Sequence, residues 1–254
     1  MVSAMATIHA RNRTCYRPNL CGDDRVKINW TWLLALPVLV LILFNVYAYG
    51  NIIAYRALAP HRTAFMNMRM AELAEQKPNV ALDYRWVDYE QISINLKKAL
   101  IASEDANFAE HDGFDWNGIK HALARNERSG KIRAGGSTIS QQLAKNLFLN
   151  ESRSYFRKAE EAALTAMIEA TTDKDRIYTL YLNVIEWGYG VYGAEAAAQY
   201  FYKQPAHRLT KVQAAQLAAR VPRPLYYADN PRDAALKRKT NVILRRMGSA
   251  ALPE

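Results

Sequence analysis

Cysteine is nearly absent from this chain. The 254 residues include two cysteines, Cys15 and Cys21, and their spacing matches no zinc or redox signature. From residue 22 onward there is no thiol at all. The folded part of the chain therefore needs no disulfide. Half of all residues are hydrophobic, which is enough for a sizeable core in one domain of roughly 200 residues.

Negative charge is scarce relative to positive charge. Asp and Glu number 24 against 34 Lys and Arg, which gives a formal net charge of +10. Such a balance favours an anionic partner, which could be nucleic acid, a phospholipid surface or a phosphorylated substrate.

Charge disappears altogether from residues 30–49, which contain no Asp, Glu, Lys or Arg. About 20 apolar residues are enough to cross the hydrocarbon core of a membrane as a helix. Trp30 and Trp32 at one end, and Tyr47 and Tyr49 at the other, are typical of the membrane–water interface. A cleaved signal peptide would have a shorter apolar region that ends in small residues. A transmembrane helix is therefore the better interpretation.

Residues 1–29 form a basic tail before this span. The tail favours a cytoplasmic N-terminus by the positive-inside rule, although Arg56 and Arg62 beyond the span weaken the contrast. The rest of the chain would then lie outside the cytoplasm and close to the bilayer. In that compartment nucleic acid is not an expected partner, whereas anionic lipid or a lipid-linked phosphate is.

After the span, the hydrophobic pattern predicts one helix after another. Apolar residues recur at three- and four-residue spacing, and Gly or Pro separates the segments. We expect a juxtamembrane helix from Ile52 to Glu75 and a single short extended segment at Tyr84–Val87. Helices are predicted at 93–103, 115–128, 138–148, 154–170, 173–184, 191–202, 210–219 and 231–247. The predicted architecture is mainly α, with a transmembrane helix at 30–49, a juxtamembrane segment at 50–80 and one helical domain at 81–254.

An acidic pair, Glu104-Asp105, directly follows the apolar helical segment 94–101. A carboxylate at the end of such a helix can be partly desolvated, which suits it to accept and return a proton. The same pair could be an ordinary solvated acid at the end of a helix. The local pattern leaves both alternatives open.

Polar side chains interrupt the next apolar helices. Gln142 lies three and four residues before Lys145 and Asn146, so that they share one helix face. On its own, this face could be an ordinary solvated surface.

Arg157, Lys158 and Glu161 have the same helical spacing at the start of the following helix. Salt bridges within the helix would explain this spacing, and each such pair stabilises a helix by only a few tenths of a kcal/mol. Glu161 is also the second carboxylate that acid–base chemistry at a sugar centre normally requires.

Four sequence blocks stand in order along the chain. They read E-D-x-x-F-x-x-H-x-G at Glu104–Gly113, G-G-S-T-I-S-Q-Q-L-A-K-N at Gly135–Asn146, R-K-x-x-E at Arg157–Glu161 and G-x-G-x-Y-G-x-E-A-A-A at Gly188–Ala198. In this order and at these spacings they resemble the signature blocks of the peptidoglycan glycosyltransferases. That polymerase domain also occurs in bifunctional penicillin-binding proteins.

The sequence departs from the family pattern in three places. Ser140 stands where threonine is usual, Ala194 where isoleucine is common, and Val221-Pro222-Arg223-Pro224 replaces leucine-proline-asparagine-proline. None of these is a charged catalytic position. The S-x-x-K and K-T-G motifs of a penicillin-binding transpeptidase are absent from the sequence. The resemblance is therefore to the monofunctional, membrane-anchored form.

The resemblance implies a lysozyme-like helical fold and a polymerising activity. Its substrates would be lipid II, a lipid-linked disaccharide-pentapeptide, and the growing lipid-linked glycan. Glu104 would be the general base, and Glu161 would lie near the undecaprenyl pyrophosphate leaving group, acting directly or through a divalent cation such as Mg or Mn. Asp105 and His111 would support the loop of Glu104.

The resemblance also implies which side chains bind the diphosphate. They would be Gln142, Lys145, Asn146, Arg157 and Lys158. The implied location is the bacterial inner membrane, with a single span, a cytoplasmic N-terminus and a periplasmic catalytic domain. Other proteins of cell-wall synthesis are possible partners.

Two alternatives from other classes remain open at this point. A lysozyme-like hydrolase or lytic transglycosylase would cleave glycan, and it would not need a second glutamate beside an Arg-Lys pair. A non-catalytic scaffold would recruit cell-wall enzymes without reacting itself.

Overall fold

The structure, a computed structural model, describes residues 30–130, 136–152 and 154–253. The basic tail at 1–29, including Cys15 and Cys21, lies outside the described residues. The predictions about that tail therefore stay predictions.

The first helix, α1 (Trp30–Tyr55), contains the predicted transmembrane segment. Within the described residues, Ala35–Tyr55 is the one helical stretch that is long and apolar enough to cross a membrane. Its aliphatic side chains between Leu36 and Val46 are largely exposed. Exposed aliphatic side chains are expected where the surrounding solvent is lipid.

The juxtamembrane segment differs from the prediction. We expected one helix from Ile52 to Glu75, but α1 ends at Tyr55 and a separate helix, α2, covers Ala64–Gln76. Pro60 lies in the break, and proline disrupts the interior of a helix. Thr63 then caps α2, since its hydroxyl accepts a 3.1 Å hydrogen bond from a backbone N–H of the first turn.

The remainder of the described chain is mainly helical, as predicted. Its helices are α3 (Ile94–Glu104), α4 (Trp116–Ser129), α5 (Ile139–Phe148), α6 (Tyr155–Thr171), α7 (Lys174–Val184), α8 (Ala194–Tyr202), α9 (Lys211–Arg220), α10 (Pro224–Asp229) and α11 (Ala234–Arg246). All eight helices predicted after residue 93 are present, with ends shifted by at most three residues. The short helix α10 was not predicted.

Three short strands form the sheet that the described residues contain. They are β1 (Asp83–Tyr84), β2 (Glu186–Gly188) and β3 (Val191–Tyr192). β3 lies in the middle, parallel to β1 and antiparallel to β2. The extended segment at Tyr84–Val87 is correct only at its start. The prediction of helix at 191–193 is wrong, because β3 and a turn occupy those residues.

Two glycines with positive φ fix the position of β2 and β3. Gly190 has φ 71° and Gly193 has φ 83°. A Cβ added to Gly190 would lie 2.4 Å from the carbonyl oxygen of Ala81. A Cβ added to Gly193 would lie 2.5 Å from the carbonyl oxygen of Asn183. Any larger residue at either position would therefore displace the backbone of a neighbouring segment.

The core places the polar helix faces around one cleft. α3 packs against α9 and α11, while α5 packs against α2, α6 and α7. Large aromatic side chains fill the interior, among them the fully buried Phe108, Tyr178, Tyr181, Trp187 and Tyr192. This packing brings the C-terminal end of α3, the polar face of α5 and the first turns of α6 together.

Candidate active site

A cavity of about 360 Å³ lies where α3, α5 and α6 meet. We call it the cation pocket; its lining includes Glu104, Gln142, Lys145, Arg157, Lys158 and Glu161. These are six of the seven site residues predicted from the sequence. The seventh, Asn146, lines an adjoining cavity that shares Gln142 and Lys145 with this one.

Glu104 is held by neutral donors and one lysine. Its Oε1 accepts a 2.8 Å hydrogen bond from the Ser103 hydroxyl and lies 3.3 Å from Nζ of Lys239. Its Oε2 accepts a longer bond, of 3.4 Å, from Nε2 of Gln142. The Tyr181 hydroxyl donates to Oε1 of Gln142 at 3.1 Å, which turns the amide nitrogen towards Glu104.

Glu104 also lines a second cavity, of about 190 Å³, beside α4. The other residues of this α4 pocket include Asp105, Asn107, Asp115, Arg125 and Ser137. The Glu104 carboxylate is therefore shared by two cavities. From there it can contact a group bound in the α4 pocket while a second group occupies the cation pocket.

Asp105 and His111 are hydrogen-bonded to each other and to the backbone. Oδ2 of Asp105 accepts the N–H of Ile139, the first residue of α5, at 2.9 Å, and Nε2 of His111 lies 3.0 Å from Oδ1. The N–H of Gly113 donates to Nδ1 of His111 at 3.2 Å. The ring proton therefore lies on Nε2, facing the carboxylate. This geometry agrees with a supporting role, because both side chains connect the Glu104 loop to α5.

Glu161 is paired on both oxygens by residues of its own helix. Nη1 of Arg157 donates to Oε2 at 2.8 Å, and Nζ of Lys158 contacts Oε1. The Ser154 hydroxyl caps α6 by accepting the Arg157 N–H at 3.1 Å, which fixes the first turn that carries both cations. Glu161 is 3% exposed. It therefore holds two positive charges at the wall of the cation pocket.

Lys145 is a cation without a direct partner among the described residues. No carboxylate of the described chain lies within ion-pair distance of its Nζ, which sits 5.4 Å from the centre of the Phe65 ring. Burial lowers the pKa of the Lys145 ammonium, and the more distant Glu151 and Glu161 oppose that effect. A partly buried, unpaired ammonium is stabilised when an anion binds beside it.

The possible divalent cation near Glu161 stays a prediction. Within the described residues no group of three His, Cys, Asp or Glu side chains comes together. Arg157 and Lys158 occupy both Glu161 oxygens. These residues do not fit a protein-built metal site, so an ion there would need ligands from a diphosphate and from water.

Sequence reasoning missed three residues of this region. Lys239 is one of several cations on α11, and nothing in its spacing indicates contact with Glu104. Tyr181 carries no charge and lies in the largely apolar second half of α7. Glu186 offered a usable signal, because it is a lone charge in the otherwise apolar stretch 184–188.

The mainly helical fold and this cleft, with two carboxylates and three cations, suit an enzyme that transfers a glycosyl group from an anionic carrier. A family model described as transglycosylase matches residues 70–248, which is well over half of the chain. The chain therefore belongs to the transglycosylase family. The predicted family and the predicted enzyme class, glycosyltransferase, are both confirmed.

Highly similar relatives carry one shared name. A protein of Neisseria meningitidis serogroup C, serotype 2a, named biosynthetic peptidoglycan transglycosylase, is 71% identical over 223 residues. That match covers 88% of this chain and 96% of the relative. A protein of the same name from Neisseria gonorrhoeae is 69% identical with the same coverage of both chains.

Proposed function

We propose that this chain polymerises lipid II into the β-1,4-linked glycan strands of peptidoglycan. The observation that carries the proposal is the cation pocket, in which Glu104 shares one cavity with Lys145, Arg157 and Lys158. A transfer from a diphosphate carrier needs a base for the incoming hydroxyl and fixed positive charge for the leaving group. The pocket supplies both within one space.

Glu104 acts as the general base of the reaction. It takes the proton from the 4-hydroxyl of the acceptor sugar as that oxygen forms a bond to the anomeric carbon of the donor. The bond from this carbon to the diphosphate oxygen breaks, so the configuration inverts and undecaprenyl pyrophosphate leaves. The position of Glu104 between two cavities supports this role, with the acceptor in the α4 pocket and the donor in the cation pocket.

Lys145, Arg157 and Lys158 neutralise the diphosphate as negative charge develops on it. Glu161 acts through Arg157 and Lys158, because its two oxygens hold those side chains in place. The amide groups of Gln142 and Asn146 complete the polar wall. A divalent cation beside Glu161 remains part of the prediction, and no step above depends on it.

The membrane helix fits this substrate. Both lipid-linked reactants keep their tails in the bilayer, so an enzyme anchored by α1 meets them at the membrane surface. We propose a single-pass protein of the bacterial inner membrane, with residues 1–29 in the cytoplasm, 50–80 as the juxtamembrane segment and 81–254 as a periplasmic catalytic domain.

The two native cysteines offer a direct test of this topology. Cys15 and Cys21 are the only thiols of the chain and both lie in the tail. A membrane-impermeant maleimide should leave them unlabelled in intact spheroplasts and label them after permeabilisation. Labelling in intact spheroplasts would overturn the orientation. A Ser249→Cys variant provides the reciprocal control, since that residue belongs to the catalytic domain.

The activity is tested by incubating the purified full chain with lipid II in detergent. Glycan polymer should appear, and it should be digestible by a muramidase. A lysozyme-like or lytic enzyme would instead release reducing or anhydro ends from finished glycan, and a scaffold would do neither. Failure of the wild-type chain to make polymer would refute the proposal.

A further inference from the structure

A cavity of about 520 Å³ lies between α8, α9 and α11. We call it the α9–α11 groove; its apolar lining includes Phe201, Val212, Leu236 and Leu244. None of its residues lines the cation pocket, the α4 pocket or the cavity that contains Asn146. The proposed reaction of lipid II therefore gives this groove no role.

Positive charge dominates the α9–α11 groove. Its charged residues are Arg220, Arg232, Lys237 and Asp233. The single carboxylate, that of Asp233, already accepts two hydrogen bonds, from the Tyr226 hydroxyl at 2.8 Å and from the Ala235 N–H at 2.6 Å. In the described part of the chain, no carboxylate lies within ion-pair distance of the three cations. The groove can therefore receive an anion that the described chain does not supply.

Arg220 is the most buried of these three cations. It lies at the end of α9, and its Cζ is 4.5 Å from the centre of the Phe201 ring. Its Nη1 donates to the Tyr227 carbonyl at 2.9 Å, whereas its Nε is buried and has no hydrogen-bond partner among the described residues. Burial lowers the pKa of the guanidinium. A carboxylate bound beside Arg220 would stabilise the charge that burial removes from water.

The groove also offers apolar surface to a ligand. Val212 is 51% exposed, although it is an aliphatic residue of a helix that packs on the core. A cavity of this volume can enclose a large apolar side chain. Arginine and aromatic residues around an apolar centre are typical of surfaces that bind another protein. Charge and shape together fit a peptide that carries an apolar side chain beside carboxylates.

The position of the groove favours such a peptide over the lipid bilayer. The end of α1 contacts α5 and α7: the Tyr55 ring stacks on Phe148, and Nε of Arg176 donates to the Tyr55 carbonyl at 2.8 Å. The groove is built by other helices, α8, α9 and α11. Anionic lipid would have to reach helices other than those that hold the end of the membrane anchor.

We propose that the α9–α11 groove binds an acidic segment of a partner protein, with a large apolar side chain in the cavity and neighbouring carboxylates paired with Arg220 and Arg232. This interaction lies beyond the proposed function, because no step of polymerisation uses the groove. α11 connects the two sites, since Lys237 lines the groove and Lys239 contacts Glu104. A docked partner would hold the helix that carries a charged neighbour of Glu104.

The test uses a short fluorescein-labelled peptide in which a leucine is flanked by aspartates. It is titrated into the full chain in detergent while fluorescence anisotropy is measured. The wild type should bind this peptide, and it should not bind the same peptide with lysine for aspartate or with serine for leucine. Arg220→Gln and Arg232→Glu should each weaken binding about tenfold. Arg208→Glu, the same charge reversal at an exposed position outside the groove, should bind like the wild type.

Arg232 is exposed, so its replacement tests the groove even where Arg220→Gln does not fold. The proposal is overturned if the wild type does not bind the acidic peptide, if it binds the serine peptide equally well, or if Arg232→Glu and Arg208→Glu bind alike. The last result would mean that the net positive charge of the chain alone attracts the peptide.

Two other occupants of the groove would give different results. Anionic lipid would appear as binding of fluorescent phosphatidylglycerol that Val212→Glu weakens, and a second copy of the chain as a dimer in sedimentation that the same variant dissociates. Either result without peptide binding overturns the proposal. Peptide binding and lipid II polymerisation are measured separately, so the loss of one leaves the other standing.

Discussion

Two carboxylates line the cation pocket, and the protein holds them in different ways. Glu161 has both oxygens paired with cations three and four residues earlier in its own helix. Glu104 contacts a hydroxyl, an amide and a lysine from the distant helix α11, and it faces two cavities. A group that exchanges a proton must reach its substrate, whereas a group that holds cations must stay paired. The surroundings therefore suit the two glutamates to the two roles proposed for them, proton exchange for Glu104 and the holding of cations for Glu161.

The largest effect should follow from Glu104→Gln. The amide keeps the shape of the side chain but cannot take a proton, so polymerisation of lipid II should fall on the order of 10³-fold, within the usual range for a general base. The midpoint temperature of thermal unfolding should change little, because Glu104 has a single charged partner and that partner is partly exposed. Glu110→Gln, an exposed acid on the same loop, should retain nearly full activity. Similar rates for the two variants would remove Glu104 from the chemistry.

Glu161→Gln should change both rate and stability. It leaves Arg157 and Lys158 without their shared carboxylate, so we expect a loss of on the order of 10² in kcat/KM as the diphosphate loses aligned cations. The free energy of unfolding should also fall by about 1–2 kcal/mol. This is less than the loss expected for a fully buried ion pair, because Lys158 is half exposed.

The neighbouring Glu160 provides the matched control for that experiment. It is partly exposed and forms no hydrogen bond or ion pair with another described residue, so Glu160→Gln should match the wild type in both measurements. If Glu161→Gln lost activity at unchanged stability, the contrast between the two carboxylates would fail. Glu161 would then have to act on substrate directly.

The sequence predicted the helices well because their apolar periodicity is local. It did not predict the break between α1 and α2, although Pro60 was a visible signal for it. β2 and β3 have two or three residues each, and their pairing depends on segments that come together only in the fold. No periodicity is detectable at that length.

Contacts within the candidate site could be predicted from the sequence where motif spacing places the residues on one helix. Arg157, Lys158 and Glu161 meet because they lie three and four positions apart. Lys239 contacts Glu104 although it lies 135 positions later in the chain, and the other cations of α11 do not contact Glu104. Proximity of that kind depends on how α3, α9 and α11 pack, which local pattern does not encode.

Lys239→Met removes the one charged partner of Glu104 and should lower activity less than the two glutamate variants do. The lysine lies 3.3 Å from Oε1 and is partly exposed, so its electrostatic contribution is modest. We expect kcat to fall by up to about tenfold with KM unchanged, because Lys239 acts on the base and not on the diphosphate. Lys237→Met, on an exposed position of the same helix, should behave like the wild type. A rise in KM at constant kcat would instead place Lys239 in contact with substrate.

The smallest effect concerns the pH dependence of lipid II binding through Lys145 of the cation pocket. Because burial lowers the pKa of Lys145, its ammonium loses its proton at a lower pH than an exposed lysine does. The apparent KM for lipid II should therefore rise several-fold between about pH 7 and about pH 9.5 in the wild type. Lys145→Arg keeps its charge throughout this range, so its own KM, whatever its value at pH 7, should stay nearly constant. Equal slopes for the two proteins would show that another group controls diphosphate binding at alkaline pH.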